Sequence, residues 1–125
     1  MNENEFEDIR PYTDAEAVEA LARMSRHPMM PVVSKYLFPS VPASAMSHML
    51  RGIGSIDQFQ NEVMMGVIDG ILARTSDGFT CSGIEHLKGI QGRFLAVSNH
   101  RDIVLDPALI QYVMKQAGLP SRRSA

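Results

Sequence analysis

Apolar residues recur at helical spacing between Thr13 and Ser76 and then give way to short continuous runs, so the pattern predicts helices first and strands afterwards. Thr13, Asp14, Ala15 and Glu16 fit a capping box, in which hydroxyl and carboxylate each satisfy an orphaned backbone N–H. Val18, Leu21, Ala22 and Ser25 share a face behind it. After the interruptions at Pro28 and Pro31, Val32, Val33, Tyr36, Leu37 and Phe38 predict a short apolar helix ended by Pro39. Pro42 suits the first turn of a third helix that carries Met46, Met49 and Leu50 and stops near Gly52 and Gly54. Ser55, Ile56, Asp57 and Gln58 form a second capping box. It opens the longest periodic stretch, where Ile56, Phe59, Val63, Val67, Ile71 and Leu72 keep one face as far as Ser76, Asp77 and Gly78.

The texture changes at Phe79. Residues 79–82 alternate weakly like a strand, Gly83 breaks them, and residues 84–88 link to Gly89 and Gly92. Phe94, Leu95, Ala96, Val97 and Ser98 form a compact apolar run of the kind found in buried strands. Asn99, His100, Arg101 and Asp102 make a polar turn. Asp106 and Pro107 lead a last helix with Leu109, Ile110, Val113 and Met114 on its buried face, stopped by Gly118 and Pro120. The expectation is an α/β chain: an acidic, solvated arm over residues 1–12, a helical region over 13–77, the first strands and helix of an α/β domain over 78–118, and a polar basic tail over 119–125.

Composition narrows the function classes. Twelve Lys and Arg against fourteen Asp and Glu in 125 residues, a net charge of -2, give no bulk positive field for nucleic acid. The single Cys81 excludes an intramolecular disulfide framework and a Cys-rich zinc site, and it suits a reducing compartment. No run approaches the roughly 20 apolar residues that span a bilayer, and the N-terminus is acidic rather than a basic lead into an apolar segment. A cytoplasmic chain is expected, with peripheral contact at the inner face of the membrane the only membrane association left open.

Four histidines are present, and one has a distinctive setting. His27 precedes a proline, His48 lies on a surface helix and His86 lies in a link, each the setting of a surface or packing residue. His100 instead follows an expected strand and precedes a helix, where a side chain is exposed while its backbone is held. The positive end of that helix disfavours imidazolium and keeps a histidine able to accept a proton. A general base needs an acceptor for its other ring nitrogen, and Asp102 and Asp106 are the candidates. Each also has a purely structural reading: Asp106 as a helix N-cap before Pro107, Asp102 as an Asx-type turn. No serine or cysteine occupies a strand-to-helix elbow beside His100. A His–Asp dyad without an enzyme nucleophile suits direct deprotonation of a substrate hydroxyl, the chemistry of acyl transfer to an alcohol.

Thr80, Cys81, Ser82, Gly83, Ile84, Glu85, His86 and Leu87, followed after a short gap by Phe94, Leu95, Ala96, Val97, Ser98, Asn99, His100 and Arg101, resemble the entry to the phospholipid/glycerol acyltransferase family, which includes the 1-acylglycerol-3-phosphate acyltransferases. Residues 6–12 and 98–106 also resemble a bacterial subgroup with a helical N-terminal region. The resemblance implies that His100 is the general base that takes the acceptor proton, and that Asp106 fixes and stabilises its imidazole. Asp102, Asn99 and Arg101 are alternative or supporting residues. No metal or bound cofactor is implied; the donor is an acyl-CoA or acyl carrier protein thioester, and the acceptor a glycerol-phosphate or lysophospholipid-type hydroxyl. Two departures stand out. His100 and Asp106 have five residues between them where the family has four, and the family's downstream Arg-containing and Glu-Gly-containing motifs do not occur before Ala125. The resemblance therefore leads us to expect an α/β domain that is begun but incomplete. The contrasting expectation is a non-catalytic helical fragment in which Met24, Met29, Met30, Met46, Met49, Met64 and Met65 form an adaptable protein-binding or peripheral membrane surface. Core packing accounts for most of these methionines, and no basic amphipathic face is evident.

Overall fold

A computed structural model of the chain describes residues 3–92 and 94–119. Two compact units divide the chain, Met1–Val63 and Met64–Ala125.

The first unit packs short helices around one small core. Helix α1, Asp14–Met24, begins on the full capping box: the Thr13 hydroxyl accepts the Glu16 N–H and the Glu16 carboxylate accepts the Thr13 N–H. Arg10 is drawn onto the same carboxylate by two bonds of 2.8 Å and onto Glu7 at 2.6 Å, so the acidic arm is pinned at its base. Helix α2, Met30–Leu37, starts with Pro31 in its first turn, where a missing N–H is harmless. Helix α3, Ala43–Gly52, follows Pro42. Leu21, Met30, Met46, Leu50, Ile53 and Val63 form the core, flanked by half-buried Phe38, Val41, Met49 and Phe59. Helix α4, Ile56–Phe59, is capped by Ser55, whose hydroxyl accepts the Gln58 N–H. The reciprocal half of that box does not form, because Gln58 Oε1 accepts the N–H of Gly54 at 2.8 Å instead. The long periodic stretch is also not one uniform α-helix: a π-helical segment, Gln60–Met64, separates α4 from α5, Met65–Thr75.

In the second unit α5 packs against α6, Leu105–Gln116, with Val67, Ile68, Met114 and Leu119 buried. The Tyr112 hydroxyl donates to Asp69 at 2.7 Å, and its ring meets Phe79 edge-on at 5.9 Å.

The α/β expectation is overturned. The described residues are mainly helical, 58% helix, and no strand occurs among them. Residues 79–82 and 94–98 carry the side-chain pattern of strands without a ladder. A strand exists by pairing its backbone with a neighbour, and the alternation or apolarity of a segment selects its faces but supplies no partner. Leu95 and Val97, read as buried, are each 86% exposed. Between the two glycine-rich ends of this region, Ile84–His86 forms only a single 3-10 turn, entered through Gly83 at a φ of 80°. The expected polar tail lies outside the described residues except for Leu119, which is buried.

Candidate functional site

The turn that precedes α6 is built by two aspartates with different tasks. Asp102 Oδ1 accepts the backbone N–H groups of Val104 and Leu105 at 2.9 and 2.7 Å, so this carboxylate satisfies the donors that the start of α6 leaves without partners. Asp106, in the first turn of α6, points back along the chain. Its Oδ2 accepts the N–H of Asp102 at 2.9 Å and that of Arg101, and lies 3.4 Å from His100 Nδ1.

This closes the gap that spacing left open. Along a regular helix, residues six apart do not meet; here His100 lies before the helix, and the turn over 101–104 folds it onto the first-turn carboxylate. Asp106 therefore reaches His100, while Asp102 makes the Asx-type contacts of the cap. The backbone of Arg101 takes part through its N–H, and the Asn99 side chain is exposed.

The electrostatics follow from the same bonds. Asp106 is held below the ordinary carboxylate range first by the Arg101 and Asp102 N–H groups and less strongly by the nearby His100. Asp102 is lowered by the N–H groups of Leu105 and Val104. The helix-terminal donors expected to face the imidazole are thus taken up by Asp102. The approach of Asp106 to His100 Nδ1 is an ion-pair contact rather than a hydrogen bond, so the carboxylate stands beside the ring as a neighbouring charge. The His100 side chain is 65% exposed.

Beside the turn lies an open cleft of ≈ 510 Å³, within the size range of small-molecule sites, with Cys81, Leu87, Val97, Leu109, Val113 and Met114 among its lining. Ser98, two residues before His100, lies on its wall. The half-buried state of Leu109, Ile110 and Val113 is explained by this opening: the face predicted to be buried lines the cleft instead. Residue patterns identified every segment of the cleft but not the cleft itself, because it is lined by α6 together with two segments that do not pair with each other. Cys81 is a free, exposed thiol. No group of three or more His, Cys, Asp or Glu that could hold a metal ion occurs among the described residues, and no described helix is long and apolar enough to cross a membrane.

No protein-family model, curated protein or solved structure matches the chain.

Proposed function

We propose that the chain carries the general-base site of an acyltransferase that moves an acyl group from a thioester donor to the hydroxyl of a glycerol-phosphate or lysophospholipid-type acceptor. The observation that carries this reading is the approach of Asp106 Oδ2 to His100 Nδ1 at 3.4 Å, with Asp106 anchored by backbone N–H groups and the imidazole open to solvent on its other side. His100 Nε2 takes the proton of the acceptor hydroxyl as its oxygen attacks the thioester carbonyl. Asp106 holds the ring and stabilises the imidazolium; the proton then leaves with the thiol when the tetrahedral intermediate collapses. The apolar cleft supports the reading, since a fatty acyl chain requires such a lining next to the base. The exposed Cys81 thiol suits the reducing side of a membrane, and we place the reaction at that face, where an amphiphilic acceptor resides.

The resemblance to the acyltransferase family enters through the turn over 98–106 and not through a sheet. Release of free thiol from acyl-CoA and from acyl carrier protein thioesters, with and without a glycerol-phosphate acceptor, tests the proposal in the His100→Ala chain. Loss of roughly 100- to 10,000-fold is expected from removal of a general base. Equal turnover in the variant would rule His100 out.

A further inference from the structure

Helix α2 carries an apolar stripe on its exposed side. Met30 and Ser34 enter the core, whereas Met29, Val32, Val33 and Tyr36, spaced i, i+3, i+4 and i+7, form a stripe that is 54, 60, 43 and 77% exposed. A contiguous exposed apolar stripe on a helix marks an interaction surface. Local charge indicates what covers this one. From Glu19 to Asp57 the sequence holds no other acidic residue but four basic ones, Arg23, Arg26, Lys35 and Arg51. Arg23 is paired with Glu19, while Arg26, Lys35 and Arg51 are exposed and make no ion pair among the described residues. Arg26 lies in the turn that leads into α2. Lys35 stands about 100° round the helix from Tyr36, close enough for its aliphatic stem to lie along the stripe with the ammonium outward. The aromatic, amphipathic Tyr36 is a residue type that favours the headgroup level of a bilayer.

We propose that the Met29, Val32, Val33 and Tyr36 stripe, with Arg26 and Lys35 beside it, docks the chain on an anionic lipid bilayer. An acidic chain overall would be repelled by such a surface, and the segregation of charge within the first unit removes that obstacle locally. The proposal deepens the membrane placement given above by naming the surface that makes contact, yet it rests on residues 23–36 and not on the His100 turn.

Co-sedimentation of the full chain with phosphatidylcholine vesicles, with and without phosphatidylglycerol, tests it. Binding is expected with phosphatidylglycerol, falling as salt rises. Lys35→Gln should weaken it roughly fivefold, and Val32→Glu, at an exposed position, roughly tenfold or more with helicity by circular dichroism unchanged. His100→Ala should bind as the unaltered chain does. Indifference to phosphatidylglycerol, or full binding by both stripe variants, would overturn the docking surface. So would a concentration-dependent dimer that Val32→Glu abolishes, since the stripe would then belong to a second copy. Vesicle binding without acyl transfer counts against the catalytic reading alone, and acyl transfer without vesicle binding counts against the docking surface alone.

Discussion

Glu16 shows how much one exposed carboxylate can organise when its partners are backbone and guanidinium groups together. It accepts from the Thr13 N–H and hydroxyl and from both ends of the Arg10 fork, with the Arg10 bonds the largest cause of its depressed pKa, about 2 against an ordinary 4.5. A carboxylate lowered in the folded state contributes stability that is fully present above pH 4.5 and is lost as pH falls toward 2. Its exposure leaves the ion-pair part open to salt screening. An NMR titration of the Glu16 side chain should give a midpoint near the low value, rising in Arg10→Ala; a midpoint at 4.5 in the unaltered chain would show that the Arg10 and Thr13 contacts do not persist in solution. At the turn before α6 the same logic separates the two aspartates. Asp102→Asn retains an oxygen acceptor for the Val104 and Leu105 N–H groups and should leave acyl transfer close to that of the unaltered chain. Asp106→Asn should lower it roughly 100-fold or more by removing the charge that stabilises imidazolium. Equal losses in both variants would mean that the turn, and not the Asp106 contact, sets the rate. Sequence spacing exposed His100 as a candidate but left its partner open between these aspartates, because that choice depends on how a turn closes and not on position along a periodic element.

The elements that depend on near neighbours were legible from the chain alone. Thr13 with Glu16, the Ser55 cap, Pro42 at a helix start and the stop before Gly78 all act within a few residues, and all appear where the pattern places them. Two details escaped. Gln58 turns to Gly54 instead of Ser55, and the π-helical segment interrupts a hydrophobic repeat that a straight helix would also satisfy. The strands failed for a different reason: residues 79–82 and 94–98 have the local character of strands, but pairing is a long-range property that periodicity does not contain. Core packing is correspondingly concentrated in the helices. Leu50 and Ile53 are each only 2% exposed in a small core, so Leu50→Ala should cost about 2–5 kcal/mol, read as a lower denaturation midpoint with unchanged urea slope. A loss below about 1 kcal/mol would mean that the site collapses around the deletion or that α3 is not central to the core.

At the scale of the whole molecule, two units carry different features. The first holds the Leu50 core, the acidic arm and the basic, apolar surface around α2; the second holds the His100 turn and the cleft. A net charge of -2 gave no bulk positive field and concealed the run from Arg23 to Arg51 that holds basic residues and no acidic one. The acyltransferase resemblance anticipated a sheet that the described residues do not form, whereas the His–Asp approach depends only on a turn and the start of one helix. We propose this turn as a working general base. Its most direct test is acceptor-dependent thiol release from an acyl thioester, measured on the full chain beside His100→Ala and matched to formation of the acylated product. Release is expected to require both the hydroxyl acceptor and His100, with thiol and ester formed in equal amounts. Thiol release at the same rate without acceptor or without His100, or no release above the uncatalysed background, would contradict it.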